Sequence, residues 1–98
     1  MKIVTLPIKK KWFDMILSGE KKEEYRELKP YWDKRLSGNR LVLKLVNGYG
    51  KHRPYILIDC LCHKYGIGKP EWGAPSYKVH ILCLGQILNT DNLQEIKP

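Results

Sequence analysis

The 98-residue chain has no apolar run approaching the ~18 residues that a membrane-crossing helix requires, and its acidic residues are few, ten Asp and Glu against 18 Lys and Arg. The N-terminal stretch MKIVTLPIKKKW lacks the core of a signal peptide, because Pro7 and then Lys9, Lys10 and Lys11 break its apolar run. A soluble, cytoplasmic protein without a membrane partner is the expectation. Cysteine is scarce as well. Cys60, Cys62 and Cys83 are an odd number, and neither a C-x-x-C nor an H-x-x-x-H pair accompanies them. That spacing argues against a closed disulfide framework and against a zinc site. No metal and no cofactor is expected, and the cysteines read as small apolar residues of strands. Repeats, linkers and low-complexity runs are missing too, so residues 1–98 read as one domain with a single core.

What remains is a basic chain with a formal net charge of +8. Such an excess favours polyanionic partners, nucleic acid above all, although it would also serve solubility alone.

KIVTLPI, residues 2–8, reads as a first strand that Pro7 stops or moves to a sheet edge. KKKWFDMILSG gathers Trp12, Phe13, Met15, Ile16 and Leu17 on one broad helical face. Gly19 follows where a helix C-cap favours positive φ, and no Ser, Thr, Asp or Asn caps the start. Glu23 to Glu27 reads as a short polar strand with Glu24 and Arg26 on one face and Tyr25 on the other. Pro30 opens a short helix, PYWDKRL, closed by SGN. RLVLKLV, YILIDCLCH and YKVHILCLGQIL are further strands. In the first of them Leu41, Leu43 and Leu45 are expected to be fully buried, and Val42, Lys44 and Val46 partly so. Asn47-Gly48 begins a loop between antiparallel strands. Residues 64–76, punctuated by Gly and Pro, form a loop long enough to suggest a function. The last eight residues read as a loose helical turn or tail. Strands without regular intervening helices, after one or two early helices, point to an α+β class and a small barrel rather than a doubly wound sheet.

Within SGEKKEEYRELKPYW the residues Gly19, Lys21, Glu24 and Arg26 spell G-x-K-x-x-E-x-R. The glycine lets the chain reverse from helix to strand. Lys21, in that turn, carries a flexible ammonium that can reach a phosphate, a carbonyl or a carboxylate. Glu24 can orient or deprotonate a ligand hydroxyl or water, and Arg26 offers a planar fork to oxyanions or base edges. The competing reading is a surface salt-bridge ladder worth about 0–1 kcal/mol.

The blocks LPIKKKWFDMILSGEKKEEYRELKPYW, NGYG and IGKPEWGAP, in that order, resemble the ASCH family, in particular its small bacterial and phage-encoded members. The resemblance implies a small PUA-like β-barrel with one or two short flanking helices and a cleft beside the first helix. That cleft would bind RNA, other single-stranded nucleic acid or a nucleoside-like small molecule through Lys21, Glu24 and Arg26. Lys9, with Lys10 and Lys11, would extend the positive surface, and Tyr31, Trp32, Tyr49 and Trp72 would stack on unpaired bases. Trp12 reads as core, and Trp32 has a second reading as a clamp on the short helix.

Two enzymatic readings use the same cleft, with Lys21 and Glu24 as the catalytic residues. One branch resembles amidohydrolases that deacylate a modified cytidine with a lysine, a threonine and a distant glutamate. The lysine falls on Lys21, but Glu24 stands where the threonine belongs, and the distant glutamate has no counterpart nearer than Glu71. The other is a ribonuclease with Glu24 as base, Lys21 and Arg26 stabilising charge, and His52 or His80 as acid. A third class is a protein-interaction module. Lys21→Ala and Arg26→Ala are expected to weaken ligand binding and leave the fold intact.

Overall fold

The computed structural model describes residues 1–38, 40–48 and 52–91. It is α+β, with strands β1 (Lys2–Ile8), β2 (Glu23–Arg26), β3 (Leu41–Asn47), β4 (Tyr55–Gly66) and β5 (Val79–Asp91). Helices α1 (Lys10–Leu17) and α2 (Pro30–Arg35) and a 3₁₀ turn at Pro70–Trp72 complete it. Among the described residues no helix is long and apolar enough to cross a membrane.

The strands form one five-stranded sheet in the order β1-β3-β4-β5-β2, with β1 parallel to β3 and the other pairs antiparallel. Pro7 lies on an outer strand, where its missing N–H is tolerated. Among the described residues no backbone ladder joins β1 to β2, so the sheet is not closed into a barrel. A flat five-stranded sheet would hold its outer strands about 19 Å apart. Yet the Arg26 guanidinium on β2 donates to the Pro7 carbonyl on β1 at 2.8 Å. One side chain spans the gap, so the sheet is strongly curled.

The main core lies inside that curl. Phe13 and Ile16 of α1 and Leu36 after α2 meet Leu6, Leu43, Leu45, Ile56, Ile58 and Leu82 from four strands. Val42 and Val46, expected to be only partly covered, are 2% and 1% exposed. They are covered because β3 lies inside the sheet, with Ile3 and Asp59 flanking Val42 and Pro7 and Tyr55 flanking Val46. A second, smaller cluster of Tyr25, Val79 and Ile81 packs with Trp72, Ala74 and Cys83. Lys64, Tyr65 and Gly66 continue β4 through pairs with β5, so the loop begins at Ile67 rather than at Lys64. Asp91, in the expected tail, still belongs to β5, and residues 92–98 lie outside the described ones.

The cysteine reading needs correcting. Cys62 and Cys83 form a disulfide across β4 and β5, with 5.1 Å between their Cα atoms, and Cys60 is the free thiol. An odd count leaves room for one pair, and here a register shift creates it. Cys60 opposes Leu84 while Cys62 opposes Cys83, so Leu61 is an extra residue on β4. The odd count and the spacing, on which the sequence reading rested, do not report this register.

Candidate functional site

A cleft of about 290 Å³ opens between the end of β1, α1, β2, α2 and the loop after β4. Its walls are Pro7, Ile8, Lys9, Trp12, Glu24, Tyr25, Arg26, Glu27, Trp32, Trp72 and Gly73. All three tryptophans of the chain line it.

The geometry starts at the end of α1. Gly19 takes φ +87°, its N–H bonds the Ile16 carbonyl, and the Lys21 N–H returns to the Met15 carbonyl. This turn, which glycine adopts without a Cβ penalty, directs the Lys21 side chain under the cleft instead of into solvent. Lys21 is 1% exposed. Its ammonium donates to the Trp72 carbonyl at 2.5 Å and lies 3.1 Å from Glu24 Oε1. The Tyr25 and Trp12 rings lie 4.8 and 5.3 Å from it. Burial pushes its pKa below the usual lysine range, against the pull of Glu24. Of the partners that the sequence reading allowed this ammonium, it meets a carbonyl and a carboxylate here, and Lys21→Ala would take the same cation from both.

Glu24 is held from its other side by Arg26, with Nη1 2.8 Å from Oε2. Arg26 Nη1 also donates to the Tyr25 carbonyl, and Nη2 to Pro7. These three bonds leave two of its five N–H groups. Glu24 and Arg26, expected to share a face of β2, meet in this ion pair, while the Tyr25 ring and Glu24 both lie against the Lys21 ammonium. A guanidinium carbon 5.3 Å from the Trp32 ring joins Arg26 to α2. The salt-bridge ladder therefore exists, but inside the protein, where every member has partners. No buried side-chain nitrogen or oxygen among the described residues lacks one.

The loop after β4 is pinned to this network. The Tyr25 hydroxyl donates to Glu23 at 2.8 Å and accepts from the Lys69 N–H at 3.1 Å. Burial pushes the Tyr25 phenol pKa up. Gly68 passes so close to the Tyr25 ring that a Cβ would collide with it. Gly73 ends the 3₁₀ turn at φ +93°, where a Cβ would come 2.9 Å from the Trp12 ring. Trp72 is thus fixed at the rim of the cleft by its backbone.

Of the other expected site residues, Lys9 lines the cleft. Tyr31 does not; it is half exposed, edge-on to Trp32 at 4.7 Å, with the Arg35 guanidinium 3.7 Å over its ring. Tyr49 lies outside the described residues. Glu71 is exposed and not part of the lining. Trp12, read as core, is half-buried and lines the cleft beside Lys9. Its place one residue before the fully buried Phe13 puts it at the margin of the helix's apolar face, a signal that the sequence carries. Among the described residues no three His, Cys, Asp or Glu side chains gather as metal ligands.

The histidines form a separate device. His52 is exposed. His80 is 1% exposed, with Nε2 2.8 Å from Asp33 Oδ1 and Nδ1 2.8 Å from His63 Nε2. Asp33 follows Trp32 on α2, so this chain fastens that cleft wall to β5. Burial, and then His80, pushes the His63 pKa down. Neither His52 nor His80 lines the cleft beside Glu24.

In comparisons with known proteins, no family model, no curated protein and no solved structure matches the chain.

Proposed function

We propose that this is an ASCH-type protein whose cleft binds RNA or nucleotide-like ligands, with unpaired bases lying between the tryptophans. On this reading the curled sheet, bridged from β2 to β1 by Arg26, is a PUA-like barrel with an open seam. The observation that carries the proposal is the convergence of Trp12, Trp32 and Trp72 on one cleft that also holds Arg26 and Lys9. Three aromatic faces suit stacking, and the two uncommitted Arg26 N–H groups suit a phosphate or a base edge. The volume, about 290 Å³, lies at the lower end of small-molecule sites and suits a nucleobase with its sugar. The net charge of +8 favours a polyanion.

Binding is favoured over hydrolysis. Both Glu24 oxygens already hold cations, and Lys21 is covered. Glu24 retains lone pairs to accept a ligand hydrogen bond, but Lys21 acts as a strut under the site and not as a group that meets the ligand.

The test uses the tryptophans, since all of them line the cleft. Titration with uridine and adenosine monophosphates and with short single-stranded RNA should give saturable changes in emission. RNA binding should weaken steeply with salt. Trp72→Ala should weaken it ~5- to 150-fold, the value of one stacked base. No change in emission with any of these ligands would remove the proposal. Salt-insensitive capture of a protein instead would favour the interaction module.

A further inference from the structure

The cleft is the middle of three adjoining depressions. On one side, across Pro7, Ile8 and Lys9, it meets a compartment of about 370 Å³ completed by Lys10, Asn47 and Gly48. On the other, across Tyr25, Arg26, Glu27 and Gly73, it meets one of about 270 Å³ completed by Pro75, Tyr77 and Val79. Sharing those wall residues, the three lie side by side as a segmented groove over the α1 start and the β2 edge. Its three parts are of similar size, and each offers different chemistry.

We propose that this groove holds a three-nucleotide stretch of single-stranded RNA, an inference that rests on the nucleic-acid reading of the cleft. One base stacks on Tyr77, the second lies among the tryptophans, and the third lies by Asn47. The Asn47 amide already donates to the Ile8 carbonyl at 3.2 Å, which fixes its rotamer. It keeps one N–H and its oxygen for a base edge. Lys9 and Lys10 supply phosphate contacts at that end. Lys10 pairs with Asp14 at 2.8 Å, but this surface pair is about half exposed and opens at little cost.

Glu27 selects the kind of strand. It lines the seam between the tryptophan and Tyr77 compartments. A carboxylate there repels a phosphate and accepts hydrogen bonds. A strand crossing the seam must therefore present a hydroxyl, and the ribose 2′-OH is the donor that DNA lacks.

The experiment is a tryptophan-emission titration with oligouridylates of one to six nucleotides, together with the deoxy trimer. Affinity should rise through three nucleotides and then level off. Tyr77→Ala, at an exposed position outside the tryptophan cleft, should weaken the trimer by about 5-fold or more while leaving uridine monophosphate unchanged. Glu27→Gln should reduce the preference for the ribo over the deoxy trimer. If the monophosphate binds and the trimer binds no more tightly, the groove proposal fails and the cleft reading stands. A steady rise through six nucleotides, or a Tyr77→Ala variant that weakens monomer and trimer alike, also overturns it. Equal binding of the deoxy trimer overturns the choice of RNA. If neither monomer nor trimer binds, the cleft reading falls with it.

Discussion

The two ends of the sheet are held by different physics. Around β1, β3 and β4 the packing is almost wholly apolar, with α1 laid on Leu6, Leu43, Leu45 and Ile56. At the β5–β2 end lie all the buried polar or charged residues that the structure describes, Lys21, Glu24 and His80. An apolar layer is non-directional and adapts to small changes of shape. A buried charge network is directional, and removing one member leaves the others desolvated and unpaired. The site therefore sits on the end of the sheet that tolerates least change, which keeps the tryptophans in fixed relation to Arg26.

Substitutions matched in volume should expose that contrast most strongly. Leu43→Met in the apolar layer should cost less than about 1.5 kcal/mol. Lys21→Met, a comparable change in size, should cost about 3–5 kcal/mol, because the Trp72 carbonyl loses its donor and Glu24 one of its two cations. Urea unfolding of the two variants checks this. Equal costs would erase the difference between the two ends.

The same contrast explains what could be read from the sequence. The β3 strand, the amphipathic α1, the Gly19 turn and the facing of Glu24 and Arg26 all follow from local periodicity and backbone preference. The burial of Lys21 was not legible, because a lysine in a turn beside other charges is as compatible with a solvated ladder as with a covered site. Its burial depends on the Trp72 carbonyl arriving from 51 residues away. Trp12 and Trp32 follow the same rule. Their helices were foreseen, but the cleft exists only where β1, β2 and the distant loop meet. The disulfide escaped because an odd count of cysteines does not say which two face each other, and the bulge that sets Cys62 opposite Cys83 is not written in local periodicity.

The Cys62–Cys83 bond joins the apolar end to the polar one, and the next largest effect is expected there. Its closure of a loop with sequence separation 21 should contribute about 3 kcal/mol. Cys83→Ser, or reduction of the wild type, should lower stability by that amount. Amide exchange should then quicken in β5 and β2 more than in β1 and β3. Uniform loosening, or no change, would show that the staple does not separate the two ends. A smaller effect is expected at Gly19, which holds Lys21 in place from φ +87°. Gly19→Val should cost about 1–2 kcal/mol in the left-handed region, and unchanged thermal unfolding would contradict it.

The smallest effect should depend on pH and be confined to the polar end. His63 Nε2 and His80 Nδ1, 2.8 Å apart, need one proton between them; a second would set two donors face to face. Asp33 faces His80 from α2, Arg26 is its register partner on β2, and the Tyr65 ring contacts both imidazoles from β4. The folded state lowers the His63 pKa, so it binds fewer protons than the unfolded chain. That contribution is present above the unfolded value of about 6.5 and is lost as pH falls toward the lower folded one. Thermal stability should therefore decline below about pH 6.5, in step with fraying of α2 and a change in Trp32 emission. His63→Gln, whose amide can offer His80 a donor or an acceptor but cannot titrate, should flatten this decline. A variant with the wild-type pH profile would show that the histidine pair does not couple the pH to the cleft wall.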